Sequence, residues 1–238
     1  MAPNKNPSKK SKTLKRKSNK ILFLTIGIVA IVLIGIGAYL LLGQPANQPN
    51  TSPTPAPSQS PSTSQTPSPT TSDPSYVNPT KVLLQTSVGN ITLELRSDKP
   101  ITTSNFINLV QQGKYDGSVF HRVIAGFMIQ GGAISGTTPT IADEIGKDNH
   151  NVAYTITMAK TSQPNSATSE FFINAADNSK IIYQDGSTFD GTYSVFGRVV
   201  SGQKVVDSIA NAQVTTNDYG ENSTPVHPVS IIKAAIIS

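Results

Sequence analysis

Apolar and polar positions are arranged differently in three parts of the chain. Residues 21–43 form one apolar run without a charged residue, residues 44–80 are dominated by small polar residues and proline, and residues 81–238 hold short apolar stretches between polar loops. A long unbroken run is typical of a membrane helix, whereas short stretches bounded by turn residues are typical of β-strands. The pattern therefore predicts an apolar helix, a spacer and one globular unit.

The apolar run 21–43 is long enough to cross a bilayer. Its 23 residues would form a helix of about 35 Å at about 1.5 Å per residue. The alternative is a cleaved signal peptide, but that has a shorter apolar core and a cleavage site with small residues. Residues 1–20 carry eight Lys or Arg and no acid, so the positive-inside rule predicts a cytoplasmic N-terminus. We expect an uncleaved single-pass anchor in the cell membrane, with residues 81–238 outside the cytoplasm.

Residues 44–80 lack the apolar side chains that a core needs. Pro, Ser, Thr, Gln and Asn dominate them, so we expect a disordered, semi-rigid linker. At about 3.1 Å per residue, its full extension would be about 115 Å. Whether it is glycosylated or cleaved is open.

The globular part begins with a hairpin and a helix. Residues 82–86 and 91–95 flank Gly89–Asn90, and their apolar positions fall in register on one face. Pro100 is suited to the first turn of a helix, apolar residues follow at helical spacing, and Gly113 is a suitable C-cap.

Further short strands and one more helix complete the predicted unit. The later strands are predicted within 120–132, 153–159, 170–173, 193–199 and 229–237, and the second helix within 202–212. Short strands without a regular alternation of strands and helices favour a mainly β fold, a closed antiparallel barrel capped by two α-helices.

Charge and composition exclude several kinds of site. The net charge is +5, but residues 1–20 hold eight of the 19 bases and none of the 14 acids, so the remainder is at about −3. A nucleic-acid-binding face is therefore not expected. There is no Cys, which excludes thiolate chemistry, and the three His have no ligand spacing. We expect neither a metal nor a cofactor.

Residues 120–132 place polar side chains among large apolar ones. Arg122 and Gln130 lie in the sequence FHRVIAGFMIQGG, and an arginine is rarely buried unless its donors are paired. One interpretation is an edge strand whose arginine extends into water. The other is the wall of an apolar pocket, with Arg122 and Gln130 directed at the polar atoms of a ligand.

Taken together, five motifs resemble the cyclophilin family of peptidyl-prolyl cis/trans isomerases over residues 81–238. The motifs, in chain order, are FHRVIAGFMIQGG, TMA, SEFFI, FDG and VFG. The resemblance implies a closed barrel of eight antiparallel strands with two helices, and isomerase activity without a cofactor. Rotation about an X–Pro bond has a barrier of about 18–20 kcal/mol. It requires a pocket for the proline ring and a donor for the prolyl nitrogen as that atom loses resonance.

The resemblance also assigns roles to residues. Arg122 is the expected donor. Gln130 is expected to bind both Arg122 and the substrate carbonyl, and Phe127 completes the catalytic set. The expected substrate-binding residues are Met128, Ala159, Lys160, Glu170, Phe172, Phe189 and Tyr193. Of these, Met128, Phe172 and Phe189 form the proline pocket with Phe127, and Ala159 and Lys160 present backbone to the peptide.

The chain departs from the family pattern at several positions. Ala133 stands where Asp is usual, Tyr193 where many members have His, and Glu170 where Gln is usual. Glu170 would either favour basic peptides or pair with Arg122. Thr188 replaces a Trp that contacts cyclosporin, so we expect weak inhibition by that drug; nanomolar inhibition of the purified domain would contradict this. His121 is interpreted as a structural hydrogen-bonding residue, because the reaction needs no proton transfer.

Three functions remain to be compared. The first is an isomerase that speeds Xaa-Pro rotation in exported proteins, with proline-containing segments as its partners and a monomeric catalytic domain. The second is a catalytically weak module that binds proline peptides at the cell surface. The third, an adhesive protein, is suggested only by the linker and gives no reason for the Arg122–Gln130 pocket.

Overall fold

The computed structural model describes residues 74–237. The predicted basic tail 1–20, the apolar run 21–43 and residues 44–73 of the linker lie outside the described residues. Within 74–237, no helix combines the length and the apolar character needed to span a bilayer.

The described residues form ten strands and two α-helices, preceded by a 3₁₀ turn at Pro74–Tyr76. The α-helices are α1 (Pro100–Gln111) and α2 (Gln203–Ala210). The strands are β1 (Lys81–Thr86), β2 (Gly89–Leu95), β3 (Arg122–Ile124), β4 (Met128–Gly131), β5 (Thr155–Met158), β6 (Phe171–Asn174), β7 (Val195–Ser201), β8 (Val214–Thr216), β9 (Asn222–Pro225) and β10 (Ile231–Ile237).

Eight strands form one curled antiparallel sheet in the order β10-β1-β2-β7-β5-β6-β4-β3. The predicted mainly β fold, with eight antiparallel strands and two helices, is therefore confirmed. The predicted closure is only partial, because no ladder joins β3 to β10. Instead, Val119, just before β3, makes a single bridge with Ser230, and the Phe120 N–H donates to the Val229 carbonyl at 3.0 Å.

The structure differs from the predicted fold at one turn and contains one additional small sheet. The hairpin between β1 and β2 turns at Ser87–Val88 rather than at Gly89–Asn90, since Thr86 pairs with Gly89. The Thr86 hydroxyl stabilises this turn by accepting from the Val88 N–H at 3.2 Å and donating to the Gly89 carbonyl at 2.6 Å. A second two-stranded sheet, β8 with β9, was not predicted, because its strands are short and largely polar.

The main core fills the inside of the curled sheet. Fully buried side chains alternate along β1 and β2, where Leu84, Ile91 and Leu93 have no exposed surface, as expected for strands with one buried face. Phe106 of α1 and Val206 of α2 complete this core from the helices. A second, smaller apolar cluster of Met128, Phe172 and Phe189 is separate from it.

A loop carboxylate caps α1. Pro100 begins the helix, and the preceding Lys99 makes no side-chain capping bond. The Glu144 carboxylate accepts instead from the backbone N–H groups of Ile101 at 3.2 Å and Thr102 at 2.7 Å. This contact satisfies two helix donors and places a negative charge at the positive end of the helix dipole.

Candidate active site

Strand register places the predicted polar and aromatic residues on one face of the sheet. Arg122 of β3 lies opposite Gln130 of β4, and Gln130 lies opposite Phe172 of β6. Residues opposite each other in antiparallel strands project to the same side. The three side chains therefore form a row across three strands, with the arginine at one end and the phenylalanine at the other.

The second apolar cluster forms an aromatic pocket beside this row. Phe172 contacts Phe189 and Tyr193 with ring centroids 5.8 and 5.6 Å apart, and Phe189 lies 5.6 Å from Phe127. Met128 packs beneath and is buried. The structure thus brings together all five side chains predicted to line the proline pocket or its rim; their roles in binding remain predictions.

Tyr183 is an additional pocket residue that the sequence prediction missed. Its ring lies 6.3 Å from that of Phe189. Residues 181–189 form a small turn in which Ile182 bridges Thr188 and the Phe189 N–H donates to the Ile181 carbonyl. Burial, and then the neighbouring Tyr193, raises the pKa of the Tyr183 hydroxyl. The apolar residues 181–183 before Asp185–Gly186 were a usable signal for this turn.

Arg122 is paired with a carboxylate that the sequence prediction did not include. Its Nε–H and Nη2–H donate to the two carboxylate oxygens of Glu221, both at 2.7 Å, and its Nη1–H donates to Gln130 Oε1 at 3.2 Å. The Arg122 side chain is 19% exposed and that of Glu221 is 9% exposed. Burial alone would raise the pKa of Glu221, but the hydrogen bond and charge of Arg122 outweigh it and the pKa falls below its ordinary value.

The suggested pairing of Glu170 with Arg122 is wrong. Glu170 accepts instead from Gln130 Nε2 at 2.8 Å, and His121 Nε2 lies 3.4 Å from the same carboxylate oxygen. Burial opposes ionisation of Glu170, but the hydrogen bonds from His121 and Gln130 outweigh it and its pKa is lowered. Contacts therefore run without a break from His121 through Glu170, Gln130 and Arg122 to Glu221. In this row, Gln130 and Arg122 separate the two carboxylates.

The β8–β9 hairpin positions Glu221. The Asn217 side-chain oxygen accepts from the backbone N–H groups of Tyr219 and Glu221, each at 3.0 Å, and the Asn217 N–H donates to the Glu221 carbonyl at 2.9 Å. β9 packs along β3, which carries Arg122. Because the hairpin is polar, no hydrophobic period in the sequence indicated either the hairpin or its carboxylate.

A groove of about 410 Å³ adjoins the Arg122 end of the row, and most of the residues that line it have polar side chains. Ala159 and Lys160 line it, together with hydroxyl-bearing residues of the loops. The Ala159 N–H is already bonded to the Glu170 carbonyl at 2.9 Å, and Lys160 Nζ lies 2.8 Å from Asp143 Oδ2. The ammonium group of Lys160 is thus paired within the domain. Ala159 and Lys160 can therefore bind a peptide only through backbone groups that are still unbonded, as the prediction of backbone contacts requires.

No metal site is evident within residues 74–237, since no three His, Asp or Glu side chains there are placed to share an ion. The site has instead one paired arginine beside an aromatic pocket. This arrangement provides a charge-assisted donor next to an apolar recess.

Comparison with known proteins places residues 81–236 in one family. The family described as "Cyclophilin type peptidyl-prolyl cis-trans isomerase/CLD" matches residues 81–236. The chain therefore belongs to the cyclophilin-type peptidyl-prolyl cis-trans isomerases and is an enzyme of the isomerase class.

Individual relatives agree with this assignment. The chain is 45% identical over 166 residues to "Peptidyl-prolyl cis-trans isomerase A" of Dickeya dadantii (strain 3937), covering 66% of this chain and 85% of the relative. It is 42% identical over 163 residues to "Peptidyl-prolyl cis-trans isomerase cyp18" of Streptomyces antibioticus, covering 66% of this chain and 98% of the relative. In the Streptomyces protein, the matched domain therefore makes up almost the whole chain.

A solved structure is also similar. A cyclophilin-type peptidyl-prolyl cis-trans isomerase of Cryptosporidium parvum has a TM-score of 0.56 and 26% sequence identity, covering 67% of this chain and 98% of its own. A second crystal structure of that protein, with a TM-score of 0.55 and 27% identity, was obtained in the presence of the dipeptide Ala-Pro.

Proposed function

We propose that this chain is a membrane-anchored isomerase that acts on Xaa-Pro bonds of exported proteins, with Arg122 as its main catalytic residue. The observation that carries the site assignment is the Arg122 guanidinium, which lies in one row with Gln130 and Phe172 beside the aromatic pocket. The proline ring enters the aromatic pocket that contains Phe127 and Met128. The arginine then lies at the pocket rim, where the prolyl nitrogen is exposed.

The guanidinium has donors to spare for a substrate. It carries five N–H groups, of which three are engaged by Glu221 and Gln130. One N–H remains on each terminal nitrogen. As the X–Pro bond twists, the prolyl nitrogen regains its lone pair and accepts from one of them. This bond is absent from the planar ground state, so it lowers the barrier rather than only tightening binding.

The catalytic assignment is tested with residues 74–238 and a proline-containing test peptide. We expect this fragment to fold alone, because the matching domain makes up almost the whole Streptomyces relative. It begins at residue 74 because Ser75 is bonded to the domain through Arg96 and Ser97. Arg122→Ala should remove most of the acceleration, about 10²-fold for a lost charge-assisted donor. Arg198→Ala is the matched control, since this partly exposed arginine pairs with Glu94 away from the pocket. Equal activity of the Arg122 variant and the parent would refute the role.

The binding-module alternative has a separate outcome. A fragment that binds the peptide, detected by NMR shifts at Phe172 and Tyr193, but does not accelerate its isomerisation would establish a non-catalytic module. The departures at Glu170 and Thr188 favour this alternative only weakly, because Glu170 bonds Gln130 and leaves the donors of Arg122 available.

The location rests on the sequence of residues 1–43. A basic segment followed by 23 uncharged apolar residues predicts a cytoplasmic N-terminus and an exported domain. The full chain should remain with the membrane after a carbonate wash, and protease added to intact cells or spheroplasts should remove residues 81–238. Protection of the domain would overturn the orientation, and release of the domain into the medium would indicate cleavage.

The proposed monomeric state is tested with the purified fragment 74–238. Sedimentation at the mass of one chain would support it, and sedimentation at twice that mass would contradict it.

A further inference from the structure

We propose that Glu221 is a positioning residue for the isomerisation reaction, which fixes the orientation of the Arg122 guanidinium toward the pocket. The inference rests on the proposed catalytic role of Arg122. Glu221 belongs to none of the motifs that carry the family resemblance, and it reaches the site from a separate hairpin.

The contact has the geometry of an orienting pair. Both carboxylate oxygens of Glu221 are used, one on Nε and one on Nη2, each at 2.7 Å. Such a bidentate pair fixes the plane of the guanidinium as well as its position. The third bond, from Nη1 to Gln130 at 3.2 Å, is longer and fixes only one nitrogen. Glu221 is therefore the main restraint on an otherwise flexible side chain.

The carboxylate is itself held in place. The Asn217 side chain and backbone bond the backbone of Glu221 on both sides, and Asn217 Nδ2 lies 3.2 Å from Ser223 Oγ. The Glu221 side chain is only 9% exposed. A rigid, buried anchor of this kind restricts the arginine before the substrate arrives, so that less side-chain entropy is lost when the twisted bond is reached.

An orienting role of Glu221 and a purely charge-balancing role predict different effects of substitutions at this position. A carboxylate that only balanced the charge of Arg122 could be replaced by a shorter carboxylate without loss. In Glu221→Asp the charge is retained, but the side chain is one methylene shorter and cannot keep both bonds from the same backbone position. Glu221→Gln keeps the shape, but an amide NH₂ replaces one of the two acceptor oxygens, so only one of the two bonds from Arg122 can form.

The test measures kcat and KM for a proline peptide with residues 74–238. Glu221→Ala and Glu221→Gln should lower kcat about tenfold and change KM less than twofold, and Glu221→Asp should lower kcat at least threefold. Glu94→Gln removes the charge from another Arg–Glu pair, on β2 and β7, in which Nε and Nη2 of Arg198 both donate to one oxygen of Glu94, and it should leave kcat unchanged. In the parent, the Arg122 Nε–H should give a sharp, separate NMR signal that is lost in Glu221→Gln.

A double variant shows whether Glu221 acts through Arg122. If it does, Glu221→Gln should cause less than a twofold further loss in an Arg122→Ala background. A further tenfold loss there, or full kcat in Glu221→Asp, would overturn the inference while leaving the role of Arg122 intact. Full activity of Arg122→Ala alone would instead refute the proposed catalytic site. Urea titrations identify any variant whose loss comes from unfolding.

Discussion

Two adjacent phenylalanines on β6 provide a direct test of how the domain separates stability from activity. Successive residues on a strand point to opposite faces. Phe171 has no exposed surface and contacts Phe106, Tyr115 and Phe120 edge-on in the main core. Phe172 belongs to the smaller cluster at the aromatic pocket. The same substitution at the two positions should therefore have different consequences.

The expected losses of stability differ because the two phenylalanine side chains have different surroundings. Phe→Ala in a core costs about 3–5 kcal/mol. Phe171→Ala leaves an enclosed void and loses three edge-on ring contacts, so we expect about 4–5 kcal/mol. Phe172→Ala leaves a void that opens into the pocket, and about 3 kcal/mol is expected. At about 2–4 °C per kcal/mol for a domain of this size, the melting temperature should fall by roughly 8–20 °C for Phe171→Ala and by roughly 6–12 °C for Phe172→Ala.

The activity losses should have the reverse order. If the proline ring loses contact for two of its methylenes, the binding energy falls by about 1.6 kcal/mol, which is roughly 15-fold in kcat/KM. Phe172→Ala should show this loss in a protease-free isomerisation assay at 10 °C, with the folded fraction of each variant measured by circular dichroism at the same temperature. Phe171→Ala should keep more than half of the parent activity. Equal losses, or a larger loss for Phe171→Ala, would refute the assignment of β6 to two separate faces.

Three further predictions concern stability. Glu144→Ala removes the cap of α1 and should cost about 1–2 kcal/mol in urea titrations; no change would contradict the cap. Gly202→Ala should cost more than about 3 kcal/mol, because the added methyl meets the Asn90 carbonyl, whereas Gly220→Ala, also at positive φ but in open space, should cost about 1 kcal/mol. Burial raises the pKa of Glu221, but Arg122 lowers it more, so it lies below the ordinary value. The stabilisation by Glu221 is therefore present above the pKa of an unfolded glutamate and is lost as pH falls through the folded value. The urea midpoint should therefore fall less steeply in acid for Glu221→Gln than for the parent.

Periodic elements were the most predictable part of the fold. The β1–β2 pair and both helices follow from apolar spacing, and α1 begins at Pro100 as predicted. Boundaries were less certain where side chains decide them, as at the Thr86 turn. β7 also begins at Val195 rather than at residue 193, since the Tyr193 N–H is engaged by the Phe189 carbonyl in a turn.

The site was predictable where a motif carries it and unpredictable where it depends on distant contacts. The row of Arg122, Gln130 and Phe172 comes from contiguous motifs whose strands pair in register. Glu221 lies 99 positions from its arginine, in a polar hairpin without hydrophobic alternation. Only the packing of β9 against β3 brings the pair together, and no local pattern contains that information.

The short segment before β1 determines how the domain bears a mechanical load. Ser75 accepts a hydrogen bond at its carbonyl from the Ser97 N–H at 2.9 Å, and the Tyr76 ring lies 4.0 Å below the Arg198 guanidinium. A pull on the chain ahead of Pro74 therefore reaches the end of β2 and the middle of β7 before it reaches β1. These two strands pair side by side within the sheet. We therefore expect the contacts at β2 and β7 to bear the force first, before it acts on the pairing of β1 with the edge strand β10.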